Sequence, residues 1–346
     1  LKVSPDGGRT VVAGNESYGT PSGDGGPATQ AQLNNPAAVV VNAAGDLFIA
    51  DNGGTSVRKV TQDGIIRAVA SIPSSVPIVS GDGGPASSAQ LQLAAPGLSS
   101  QGGLAADSAG NLYIAETGAH RVRKVSKSGT ITTVAGIGAQ RCSGPPSSTC
   151  LPLGDGGPAT SAALSYPTSV AVDSAGNLFI ADASNLRVRK VSSEGIITTV
   201  AGNGNAPPCP RAVSNGTPAT GTPILPVHVA VDGAGNLFIA EGPYAEVRKV
   251  SPDGIISTVL SPTAGSPYFG FISASTVDRT GNLFVAGSMC DDDDNCLLAG
   301  DPQDYRRRHY HGDRHFEFHQ RSVRQRCRRW RARHQGATGI RLWPCG

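Results

Sequence analysis

One seven-residue phrase recurs five times and limits what this chain can fold into. It reads Gly-Asp-Leu-Phe-Ile-Ala-Asp at 45–51, Gly-Asn-Leu-Tyr-Ile-Ala-Glu at 110–116 and Gly-Asn-Leu-Phe-Ile-Ala-Asp at 176–182. It returns as Gly-Asn-Leu-Phe-Ile-Ala-Glu at 235–241 and Gly-Asn-Leu-Phe-Val-Ala-Gly at 281–287, with successive spacings of 65, 66, 59 and 46 residues. Spacings of this size mark a repeat of supersecondary units, each too small to bury its own apolar surface. The context recurs too. Val-Ala-Val-Asp precedes the phrase at 170–173 and 229–232, and Val-Arg-Lys-Val follows it at 57–60, 122–125, 188–191 and 247–250. Ile-Thr-Thr-Val-Ala-Gly then follows at 131–136 and 197–202. Each unit is therefore expected to hold four short β-strands.

The residues between those runs have turn chemistry. Asp-Ser-Ala-Gly-Asn at 173–177 pairs an Asp that can bond backbone amides just ahead of it with residues that tolerate positive φ. Glu194-Gly195 and Asp253-Gly254 suit the next hairpin. A four-stranded antiparallel meander that is apolar on both faces requires a sheet on either side of it. Radial stacking supplies that cover, so the expectation is an all-β chain, a β-propeller of four-stranded antiparallel blades. Five units are read at 15–70, 71–136, 137–202, 203–260 and 261–303, after a partial one at 1–14 whose Lys2-Val3 matches the third strand. The chain is accordingly expected to be a fragment, a monomeric domain of a larger protein.

A second phrase lies between units: Gly-Asp-Gly-Gly-Pro-Ala at 23–28, 81–86 and 154–159, with Ser-Asn-Gly-Thr-Pro-Ala at 214–219 as a worn copy. Clustered glycines can expose amides to an anion. One carboxylate is too few for calcium, which takes six to eight oxygens. The preferred reading is a turn feeding a short helix, with the Asp as cap, the Pro in the first helical turn, and Ala and Leu seating it.

These residues resemble NHL repeats. The similarity rests on Pro-Thr-Ser-Val-Ala-Val-Asp at 167–173, Ala-His-Arg-Val-Arg-Lys-Val at 119–125 and Asn-Leu-Arg-Val-Arg-Lys-Val at 185–191, and it covers nearly all of 1–303. The Gly-Asp-Gly-Gly-Pro-Ala phrase is similar to the long-repeat variety of extracellular bacterial proteins. The resemblance implies a propeller, commonly six-bladed, that serves as a non-catalytic binding scaffold for protein or carbohydrate. It also implies a location outside the cell or in the cell envelope. The alternative class is a metal-dependent propeller lyase or lactonase.

Four acid–arginine pairs share an offset of seven residues: Asp51/Arg58, Glu116/Arg123, Asp182/Arg189 and Glu241/Arg248. A pair repeated in four of the five units is expected to staple a blade rather than form four active sites. Asp107, Asp173, Asp232 and Asp278 are expected to cap hairpins. No catalytic residue and no cofactor is read from the sequence. For a metal, the nearest approaches to a ligand set are His228 and the run Asp291, Asp292, Asp293 and Asp294, whereas a catalytic zinc takes three protein ligands and a water. His120 occupies a hairpin position where surface or turn residues are expected. Cys142 with Cys150, and Cys290 with Cys296, each close a short loop and are read as disulfides of an oxidising compartment.

Charge divides the chain. Residues 304–346 hold twelve Arg, no Lys and three acids, a net +9, so the overall +3 leaves the body at −6. An acidic body does not attract nucleic acid. No stretch reaches the ~18 apolar residues of a membrane-spanning helix. The Arg-rich tail departs from every repeat, and a shift of reading frame near 300–304 explains it. Moved one base downstream, codons for the eight residues 328–335 can read Gly-Asp-Gly-Gly-Pro-Ala-Thr-Lys, and those from 309 can read Thr-Ile-Thr-Val-Thr-Gly. On that reading the tail carries no selected core and is expected to be disordered.

Overall fold

The computed structural model describes residues 1–4, 6–15, 17, 19–51, 55–70, 81–94, 103–138, 153–208, 214–261, 268–278, 281–290 and 296–297. The tail at 304–346, the Asp291–Asp294 run, and Cys142 with Cys150 lie outside the described residues. Contacts divide the chain into two compact units, Leu1–Thr199 and Val200–Gly346.

The first unit begins with a two-stranded hairpin, Lys2–Val3 with Arg9–Thr10. Three four-stranded antiparallel sheets follow, each in simple sequential order. The first is Pro36–Val41, Leu47–Asp51, Ser56–Val60 and Ile66–Ala70; the second is Leu104–Ala106, Leu112–Glu116, Arg121–Val125 and Ile131–Ala135. The third is Pro167–Val172, Leu178–Asp182, Arg187–Val191 and Ile197–Ala201. In the second unit, His228–Val231, Leu237–Glu241, Glu246–Val250 and Ile255–Leu260 form the fourth sheet, to which Thr217–Pro218 adds a short fifth strand. A fifth sheet contains Tyr268–Val277, Leu283–Cys290 and Cys296–Leu297. Among the described residues no helix is long and apolar enough to cross a membrane.

The repeat in sequence becomes a repeat in register. The second and third strands pair Ile49 with Arg58, Ile114 with Arg123, Ile180 with Arg189, and Ile239 with Arg248. Hairpin chemistry likewise fixes the register of the first strand on the second. Asp173 Oδ1 accepts the N–H groups of Ala175 at 3.0 Å and Asn177 at 2.8 Å, while Oδ2 accepts from Asn177 Nδ2 at 2.7 Å. Asp107, Asp232 and Asp278 cap the same turn through Asn111, Asn236 and Asn282.

Strand alternation gives each sheet two apolar faces. One face of the second sheet packs Leu104, Leu112, Ile114 and Ile131 against Phe48, Ala50, Val57 and Ala70 of the first. Its other face packs Tyr113, Ala115, Val122 and Ala135 against Val170, Leu178, Ile180 and Ile197 of the third. Each fully buried Ile contributes about 1.5–3 kcal/mol. Ala38 and Val40 lean on the second sheet, so Val39 and Val41 point the other way and stay exposed.

Candidate functional site

Every complete sheet buries the repeated guanidinium together with a second-strand acid. Arg58, Arg123, Arg189 and Arg248 are at most 1% exposed, and Asp51, Glu116, Asp182 and Glu241 are fully buried. Of the offset-seven pairs, Arg189 Nη1 lies 3.4 Å from Asp182 Oδ2, Arg58 Nη1 lies 3.7 Å from Asp51 Oδ2, and Arg248 Nη1 lies 4.0 Å from Glu241 Oε1. In the second sheet, Glu116 Oε2 accepts instead from Arg121 Nε at 2.7 Å.

The shorter contacts go to a residue that was read differently from the sequence. Arg58, Arg123 and Arg189 reach Asp24, Asp82 and Asp155 of the inter-unit phrase at 2.9, 2.8 and 2.8 Å. The expectation that this Asp caps a helix, with Pro in its first turn, is corrected. The three-residue 3-10 turns Ala28–Gln30, Ala86–Ser88 and Ala159–Ser161 start after the Pro and carry no side-chain cap. A turn this short leaves little for a cap to satisfy, while the buried guanidinium alongside needs an anion. The free carboxylate oxygen then ties the fourth strand, through Thr133 Oγ1 to Asp82 at 2.6 Å and Thr199 Oγ1 to Asp155 at 2.8 Å. In the worn copy Asn215 Oδ1 takes over, accepting Thr258 N–H at 2.8 Å, and Arg248 turns to the Ser214 carbonyl.

The second-strand acids hold the chain entering each sheet. Asp51, Glu116, Asp182 and Glu241 accept the N–H groups of Asn34, Gln92, Ser165 and Leu225 at 2.6–3.0 Å. Burial pushes the carboxyls of Asp51 and Glu116 above their usual range and that of Asp182 to about 6, against the pull of amides and arginines. Burial also pushes Asp82 upward, but Thr133 and Arg123 outweigh it and hold that carboxyl low. Each cluster thus links the inter-unit turn, the strand entry and the middle of the sheet around one guanidinium.

The two histidines of the body also bond backbone. His120 lies in a half-buried turn and its Nδ1 accepts Tyr166 N–H at 3.1 Å. His228 is the first residue of its strand, and its Nδ1 accepts Ser275 N–H at 3.4 Å. Burial lowers the His228 pKa to about 4. Among the described residues no three His, Cys, Asp or Glu side chains converge on a point that could hold a metal. Cys290 and Cys296 face each other in register across two antiparallel strands.

The family pattern described as the teneurin NHL domain matches residues 3–80 and again 79–192, more than half of the chain. The chain belongs to this family. Teneurin-4 of Mus musculus is 29% identical over 231 residues, covering 49% of this chain and 8% of its own length. Teneurin-m of Drosophila melanogaster is 28% identical over 185 residues, 51% of this chain and 6% of its own. This NHL domain therefore spans less than a tenth of the curated relatives it matches. Among solved structures it is similar to virginiamycin B lyase from Staphylococcus aureus, with TM-score 0.43 and 13% identity over 76% of this chain and 69% of that one. As an NHL-repeat chain it is of the β-propeller class, and its sheets are the blades.

Proposed function

We propose that this NHL domain is a non-catalytic recognition module that works outside the cell and presents its inter-blade insertions to a protein or carbohydrate ligand. The observation that carries this reading is the burial of the arginine-centred constellation repeated in every complete blade, Arg58, Arg123, Arg189 and Arg248 with Asp51, Glu116, Asp182 and Glu241. Its four arginines and their partner acids are engaged in holding turn to sheet, so a ligand meets the variable segments between blades instead. Recognition characteristically resides in loops carried on a rigid frame. The insertions at 71–81, 136–154 and 202–219 differ most in length and sequence, and the central parts of all three lie outside the described residues. An oxidising location is supported by the placement of Cys290 opposite Cys296.

The test is binding of the purified chain to an array of extracellular ectodomains and glycans, with and without EDTA. Saturable binding that survives EDTA, and is lost when residues 139–152 are replaced by a Gly-Ser linker, is expected. Metal-dependent turnover of a lactone or cyclic ester would replace this reading with the lyase or lactonase one. Peptide mapping without reductant should find Cys142 joined to Cys150 and Cys290 to Cys296. Four free thiols would remove the extracellular assignment.

A further inference from the structure

The seam between the second and third blades is closed at one end by a histidine that must be neutral to do its work. His120 ends the 3-10 turn Thr117–Ala119 in a left-handed conformation, φ 52°, and Tyr166 enters the third blade in another, φ 48°. Left-handed backbone in non-glycine residues is unfavourable and needs contacts to hold it. Three contacts do so here. Tyr166 N–H donates to His120 Nδ1, the two rings meet edge to face with centroids 4.5 Å apart, and Thr117 Oγ1 donates to the Pro167 carbonyl at 2.7 Å. A ring nitrogen that accepts a hydrogen bond carries no proton, and protonation turns it into a donor facing a donor.

We propose that this seam is a pH-sensitive latch: protonation of His120 releases Tyr166 and loosens the second blade from the third at that end.

The surroundings favour the neutral ring. Burial lowers the His120 pKa below its ordinary value. Residues 136–138, packed beneath the turn, contain no titratable side chain, and strand Pro167–Val172 contains none either. On its own hairpin, Glu116 is paired with Arg121. Beyond Tyr166 lies Asp182, which holds the neighbouring Ser165 N–H. Among the described residues these leave no carboxylate beside the ring to stabilise an imidazolium. A lowered folded pKa means that the latch is fully closed above the unfolded value near 6.5. Its contribution is lost as pH falls through the folded value. The insertion that begins after residue 138 is rooted at the latch, because a Cβ on Gly136 would sit 2.5 Å from the His120 carbonyl oxygen.

Amide hydrogen exchange of the full chain, measured between pH 7.5 and 4.5 and corrected for intrinsic rate, tests the latch without any ligand. Protection of Tyr166 N–H is expected to fall about tenfold per pH unit as pH drops below about 6.5 and to level off below the lowered His120 pKa of the closed latch, while Ile180 N–H keeps its protection. The levelling-off should coincide with the ring titration of His120 followed by NMR. The variant His120→Asn retains an acceptor, tolerates left-handed backbone and does not titrate, so its Tyr166 protection should be flat. An unchanged Tyr166 amide in the parent protein would overturn the latch. So would an acid response that persists in His120→Asn, which would assign it to Asp182.

Discussion

Replacing Arg189 with Met is expected to lower the melting temperature by roughly 10 °C. The guanidinium is fully buried and holds three partners at once: Asp155 at 2.8 Å, the Leu153 carbonyl at 2.9 Å and Asp182 at 3.4 Å. Methionine fills a similar volume, so packing is nearly conserved and the loss is electrostatic. It leaves the fully buried Asp182 ionised without its counter-charge, and breaking a buried pair in this way costs about 3–5 kcal/mol. At roughly 2–4 °C per kcal/mol for a chain of this size, calorimetry resolves the change easily. The sign of the pH dependence identifies the cause. Asp182 already titrates near 6, with burial as the largest influence and Arg189 pulling the other way. Removing Arg189 raises that carboxyl further, so the deficit should be larger at pH 8 than at pH 5, where protonation relieves the unpaired charge. Asp155→Asn should cost only about 1 kcal/mol, since Asp155 is 41% exposed and water replaces part of what is lost. A methionine variant that melts with the parent protein, or a deficit that grows on acidification, would refute the staple.

Legibility from sequence followed the range of the interaction. Strand order, hairpin positions and the Asp–Asn caps were readable because each is written within about seven residues: Asp173 and Asn177 are four apart and their bonds recur unchanged in three other units. The acid seven residues before each Arg was visible for the same reason, and Asp51, Asp182 and Glu241 lie within 4.0 Å of theirs. The tighter partners could not, because Asp24 and Arg58 are 34 residues apart, Asp155 and Arg189 also 34, and Asp82 and Arg123 41. No local rule connects residues so far apart, and an Asp before Gly-Gly-Pro has a ready explanation as a cap. The phrase itself held no signal against a cap, since its Asp changes to Asn215 in the fourth copy and a cap tolerates either residue. His120 was legible as a turn residue but not as an acceptor, since Tyr166 lies 46 residues away.

A side chain at position 103 should be as damaging as the loss of an arginine, for a purely steric reason. Gly103 opens the second blade and donates its N–H to the Thr168 carbonyl at 3.2 Å, while its own carbonyl accepts from Ala115 at 2.9 Å. A Cβ there would lie 2.6 Å from Ser169 Cα, 3.0 Å from Thr168 O and 3.1 Å from Val170 N. All three are backbone atoms of the next blade's first strand, so no side chain can swing away. The blades must separate, and the shared core of Tyr113, Ala115, Val170 and Ile180 opens with them. Gly103 carries no left-handed φ, so the penalty is contact rather than backbone conformation. The same place in the other units holds Ala38, Ser169, His228 and Ala274, each with a Cβ, so the approach that excludes one is particular to this seam. Forced overpacking costs about 1–3 kcal/mol where side chains can adjust, and more against fixed backbone. Gly103→Ala is therefore expected to lower the melting temperature by roughly 6–12 °C, and Gly103→Val by more. Gly221→Ala provides the comparison, since a Cβ there meets nothing within 4 Å. It should change stability by less than about 1 kcal/mol. If both alanine variants melt together, the blades are not in backbone contact at this seam.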